Sequence, residues 1–144
     1  MRDSELIFGG TVAAGVDVGQ RVSASGATNG SYDIDTLAAG DAMKAGAVFK
    51  AIATEILAGT GTTVTITLVT CAEPTFASAT TLFSTGAIAK ASTVAHTVLA
   101  QVVIPVGVLR YLRVIYTTDN TMETTGRISS WIELCQDVTL DRQL

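Results

Sequence analysis

Apolar and polar positions alternate with period two along several stretches of this chain. The clearest is residues 62–70, where Val64, Ile66 and Leu68 point one way and Thr63, Thr65, Thr67 and Val69 the other. Successive side chains of a strand leave on opposite faces, so this pattern predicts a β-strand with one covered face. Residues 110–117 repeat it, with Leu112, Val114 and Tyr116 against Tyr111, Arg113 and Ile115. Residues 125–135 do so again, with Ile128, Ser130, Ile132 and Leu134 against Arg127, Ser129, Trp131, Glu133 and Cys135. Residues 94–104, 80–84 and 31–35 carry weaker forms of the pattern.

The Ala-rich segment 36–57 admits a helix, with Leu37, Met43, Ala47, Ile52 and Ile56 loosely aligned. Gly40 and Gly46 interrupt that helix, and each costs about 1 kcal/mol in a helix interior. Residues 47–57 are therefore read as a strand, Val48, Lys50, Ile52 and Thr54 alternating with Phe49, Ala51, Ala53 and Glu55. Turn chemistry separates the runs: Asn29-Gly30, Gly59-Thr60-Gly61, Pro105-Val106-Gly107 and Asp119-Asn120. Short strands with turn signals between them predict an all-β sandwich or barrel.

Composition narrows the function. The 144 residues suit a single domain, read as residues 11–144 behind an N-terminal arm at residues 1–10. There are 22 threonines, β-branched residues that favour a pleated, half-exposed surface. Charged residues are 15% of the chain against a usual ~25%, and the mean hydropathy is +0.44, so the chain is not of disordered type. Net charge is −4 and the cations are scattered, clustering only at Arg110 and Arg113, which argues against nucleic acid and anionic membrane surfaces. The longest apolar stretch, residues 98–109, holds Gln101 and Pro105 and falls short of the ~20 residues of a spanning helix. Asp3 and Glu5 stand where a secretion signal would be basic, so the chain is expected to be made and used in the cytosol, or to leave the cell by lysis.

Candidate chemistry is sparse. His96 is the one histidine and is read as a strand residue. No Gly-x-Ser-x-Gly elbow occurs for a triad. Gly59-Thr60-Gly61-Thr62-Thr63 lacks the Lys-Ser/Thr ending of a phosphate loop and reads as a turn. Asp33 and Asp35 could form a glycosidase carboxylate pair, but on a Thr-rich surface they read as a solvated edge. Asp17, Asp33, Asp35 and Asp41 follow no calcium-loop signature. Cys71 and Cys135 lack zinc spacing and read as reduced and buried. No enzyme activity, cofactor or metal is expected. A weakly charged exterior suits burial against other proteins. Leu6, Ile7 and Phe8 form an apolar triplet before Gly9-Gly10, read either as a flexible arm that adds to another subunit or as the domain's own first strand. Deleting residues 1–10 is then expected to leave a folded domain with weaker attachment. Trp131, on the face opposite Ile128 and Ile132, is expected either to point away from the core toward a partner or a second layer, or to fill a gap beside Arg127.

Three stretches in order, residues 62–70, 76–88 (FASATTLFSTGAI) and 105–116 (PVGVLRYLRVIY), followed by a strand at 126–134, resemble the jelly-roll capsid cement, or decoration, proteins of tailed bacteriophages, such as that of a Bordetella phage. The likeness covers roughly the last two-thirds of the chain; the first third matches only through an apolar arm and a short strand near residues 32–37. The resemblance implies a non-enzymatic jelly roll on the outside of an icosahedral head. There it would bridge major capsid subunits as a homodimer, or alternatively a trimer. Arg110, Tyr111 and Arg113 match the family pattern as structural residues. Two rival readings are a carbohydrate-binding sandwich, which needs exposed rings, and a small hydrolase centred on His96 or on Asp33 and Asp35.

Overall fold

A computed structural model describes residues 6–9, 11–13, 16–22, 26–37, 46–120 and 126–134. The long alternating segments become strands close to their predicted bounds: β7 (Ala47–Glu55), β8 (Thr63–Cys71), β9 (Thr80–Ser84), β12 (Tyr111–Thr118) and β13 (Arg127–Leu134). Around them lie β1 (Ile7–Gly9), β2 (Thr11–Ala13), β3 (Val16–Val18), β4 (Gln20–Arg21), β5 (Gly26–Asn29), β6 (Ile34–Asp35), β10 (Ile88–Ala89) and β11 (Val98–Val103).

Two antiparallel sheets pack face to face. One runs β1-β13-β7-β11, with β4 also on β13. The other runs β10-β8-β12-β5, with β6 on β12 and β9 on β8. β1 and β4 meet β13 at successive positions along one edge, so they are a single edge strand interrupted by the β2–β3 hairpin. β5 and β6 likewise line one edge of β12. With those merged, successive strands alternate between sheets except for the β8–β9/β10 hairpin. This is the connectivity of a jelly roll.

The alternation that predicts the strands also fills the core. Val64, Ile66 and Leu68 of β8, Leu112, Val114 and Tyr116 of β12, and Ile128 and Ile132 of β13 are buried, and Phe49 of β7 sits among them. Phe49 meets Phe8 edge-on at 6.0 Å between ring centroids and Phe83 at 6.3 Å. Removing any of these side chains leaves a cavity between the sheets as well as lost apolar burial.

Four expectations are corrected. Residues 7–9 are not a free arm. They form β1, with Ile7 opposite Trp131 on the outer face and Phe8 fully buried against Phe49 between the sheets, so apolar burial holds the strand on both sides. Deleting residues 1–10 would strip an edge strand and a core side chain, so it is not a clean removal of an attachment arm; residues 1–5 and 10 lie outside the described residues.

Asn29-Gly30, expected as a turn between runs, does not reverse the chain. The Gly30 N–H donates to Val114 O at 2.7 Å and the chain continues along β12. Glycine is required there by proximity, since a Cβ would lie 2.9 Å from Phe8 O. His96 is no strand residue: it is exposed, with φ of 65°, in the turn before β11, and its N–H donates to Ala53 O at 2.6 Å. That turn delays the strand expected from residue 94 until Val98.

Fourth, Trp131 does lie on the outer face, but it is not available to a partner. Only 3% of it is exposed. Its indole N–H donates to Glu133 Oε1 at 3.0 Å, and Lys50 Nζ lies 5.8 Å from the ring centroid.

One flank of the sandwich is closed. Phe8 O accepts the Tyr32 N–H at 3.0 Å, and the Gln20 side chain donates to Asn29 O at 2.7 Å while accepting the Ser31 N–H at 2.8 Å. These bonds tie the β1/β4 edge of one sheet to the β5/β6 edge of the other. β11 ends its sheet on the opposite flank.

Candidate functional site

Two surface regions stand out. The first is where β6, β12 and the loop from β8 to β9 meet. β12 presents Tyr111, Arg113 and Ile115 outward, as its alternation predicts, and β6 lies beside it with Asp35 opposite Tyr111. Arg113 grips Asp33 through a two-bond fork, Nε to Oδ1 at 2.7 Å and Nη2 to Oδ2 at 2.6 Å. Arg110 grips Asp35 the same way, at 2.9 and 3.0 Å. Planar guanidinium forks match carboxylates in this geometry, so the pairs pin the short β6 to the edge of β12.

Aromatic rings complete this patch. The Arg113 guanidinium stacks 3.9 Å from the Phe76 ring centroid, and that of Arg110 lies 5.1 Å from the Tyr111 ring. Phe76 holds φ of 54°, a left-handed conformation uncommon for a bulky residue. Its N–H donates to Glu73 O at 3.2 Å, closing the turn that aims the ring under Arg113.

The carboxylate pair considered for glycosidase work is thus occupied on both members. Arg110, by its hydrogen bonds, and the Leu37 N–H hold the Asp35 carboxyl below the usual range. A general acid needs the opposite shift. His96 lies at the far end of β7, in the turn bonded to Ala53, and is not brought to this patch. Cys71 is a buried free thiol opposite Tyr111; Cys135 and Asp41 lie outside the described residues. Among the described residues, no three His, Cys, Asp or Glu side chains gather as a metal site, and no helix is long and apolar enough to cross a membrane.

The second region is the flank ending at β11. From Ala91 to Leu109 the sequence has no Asp, Glu, Lys or Arg. Seven large apolar side chains are well exposed among the described residues, and four of them, Val94, Val98, Val103 and Val106, fall in this segment. Ile56 is a fifth, next to Leu57, whose N–H donates to Thr93 O at 3.4 Å. In the sequence this stretch reads as a weak strand candidate and as too short a membrane span; its missing charges are the further usable signal. The Phe76–Arg113 stack joins positions with no periodic relation, so no pattern announces it.

Known proteins add one finding to this geometry. No curated protein matches the chain. The Bbp16 family matches residues 16–132, from the start of β3 to within β13, and so spans about four-fifths of the 144 residues. Its name suggests a Bordetella phage protein. On that coverage, the chain belongs to the Bbp16 family.

Proposed function

We propose that this chain is a non-enzymatic capsid cement protein of a tailed phage. It sits on the outer surface of the icosahedral head and bridges neighbouring major capsid subunits as a homo-oligomer, a dimer in preference to a trimer. Membership of the Bbp16 family over residues 16–132 carries this reading, together with the jelly-roll likeness of the sequence.

Physical features support it. The exterior is poor in charge, and its exposed apolar side chains concentrate on one flank instead of being dispersed. The outer face of the β8–β12 sheet offers Thr63, Thr65, Thr67 and Thr117, hydroxyls able to bond a polar protein surface. A guanidinium covers one face of Phe76, and the Arg110 guanidinium lies over Tyr111, which leaves less open ring for a sugar to stack on. Cementing needs no strong single contact: an oligomer that touches several subunits at once sums modest ones through effective concentration.

The test is add-back. Heads of the encoding phage assembled without this chain are mixed with the purified protein, sedimented, and heated. Co-sedimentation at saturable occupancy, with DNA retained to higher temperature, is the expected result. Heads that neither bind the chain nor gain heat resistance would contradict it.

A further inference from the structure

The flank at β11 has geometry that the cement reading leaves unused. β11 is the last strand of its sheet, and among the described residues no strand pairs with its far side. The Ile104 N–H donates to Ala47 O at 2.8 Å, and Val102 and Ala100 face Phe49 and Ala51. Antiparallel ladders alternate, so Gln101 and Val103 turn their N–H and C=O groups away from β7. These two residues therefore offer two donors and two acceptors on an open edge. Natural edges of this kind are usually blunted by charge or covered. This one carries no charge.

We propose that β11 is the self-association edge of this protein, pairing antiparallel with β11 of a second copy about a two-fold axis at Val102. In that register Gln101 of each copy faces Val103 of the other, and the four groups of each edge form four main-chain hydrogen bonds. Opposed residues share a face, so Gln101 and Val103 stay outside while Val102 meets Val102 beside the core. The ladder is bounded on both sides: Pro105 has no N–H to give, and a bulge interrupts the register between Val98 and Ala100.

A second copy is the occupant because the edge is its own complement, as a two-fold interface requires. Charge points the same way. Each copy carries −4, and the segment from Ala91 to Leu109 brings no carboxylate of its own to such a contact. This inference deepens the self-association part of the reading above and rests on it, but its test involves no capsid, so the two can fail separately.

The test is the mass of the intact chain in solution by sedimentation equilibrium up to about 100 μM. It is run beside Val103→Lys and Gln101→Pro, with circular dichroism confirming that each variant is folded. Val103→Lys places a charge on the edge, and Gln101→Pro removes an outward donor that β7 does not use. The wild type is expected as a dimer, and each variant is expected to raise the dissociation constant at least about tenfold. Amide exchange in the wild type gives a readout independent of variant folding: Gln101 and Val103 are expected to slow as concentration rises. A wild-type monomer at the highest concentration would overturn the proposal. So would a dimer of unchanged affinity in a folded variant, or exchange at Gln101 and Val103 that ignores concentration.

Discussion

The phenol of Tyr116 on β12 and the hydroxyl of Ser130 on β13 share a hydrogen bond across the middle of the sandwich. Both residues are fully buried, so this one contact between polar groups joins the two sheets inside an apolar core. Replacing Tyr116 with Phe leaves the Ser130 hydroxyl without this partner and is expected to cost about 1–3 kcal/mol in urea unfolding. Ser130→Ala has a similar expected cost, and the double variant should lose clearly less than the sum.

Gly9 belongs to the same arrangement. A Cβ there would lie 2.7 Å from the Tyr116 hydroxyl and 2.8 Å from Gln20 Oε1. Gly9→Ala is therefore expected to destabilise by about 1–3 kcal/mol. Its cost should shrink in a Tyr116→Phe background, where the nearest clashing atom is gone. Equal costs in both backgrounds would refute that cause.

Alkali tests the buried phenol differently. Burial, opposed only in part by the Ser130 hydrogen bond, pushes Tyr116 far above the ordinary phenol value near 10. A group with a raised folded pKa contributes its stability below the unfolded value and loses it as pH climbs above. Melting temperature should therefore fall as pH passes about 10, and fall less in Tyr116→Phe.

At the acid end the sensitive group is Asp119, just after β12. Its carboxylate accepts the Thr62 hydroxyl and N–H and the Thr63 N–H, tying the end of β12 to the start of β8. Those bonds, the Thr62 hydroxyl first, lower its pKa to about 2. A depressed carboxylate contributes stability above its unfolded pKa, near 3.9, and loses it as pH falls toward the folded value. Thermal melts from neutral pH down to about pH 2 should show Asp119→Ala less stable than wild type above pH 4, with the difference narrowing toward the acid limit.

Arg113 combines a fork on Asp33 with a stack on Phe76. Lysine keeps the charge but has neither the planar fork nor the flat stacking face. Arg113→Lys is expected to cost about 1 kcal/mol by urea unfolding, and Phe76→Leu should reduce that penalty. A fully neutral Arg113→Lys would show that the patch is not held by these contacts.

Much of this architecture is legible in the sequence, and the failures have physical causes. β8, β12 and β13 each bury one face, so their alternation survives as a period of two. β1 is covered on both faces, so its three residues show an apolar run with no period, and the sequence alone leaves arm and first strand as alternative readings. The turn at His96 interrupts what looks like continuous alternation, because a left-handed residue is not encoded in hydrophobic pattern. Trp131 lies on the face that its spacing predicts, but Ile7 and Lys50, its cross-strand neighbours, are brought beside it by topology and not by spacing. Arg110 and Arg113 were legible as structural residues; their acidic partners, distant in sequence, emerge only when β6 docks on β12.

The most direct measurement of the central claim is quantitative mass spectrometry of purified virions of the encoding phage. The expected result is this chain in near one-to-one ratio with the major capsid protein, cleavable by protease from outside intact heads. Its absence from purified particles, or a few copies only, would contradict a capsid cement role.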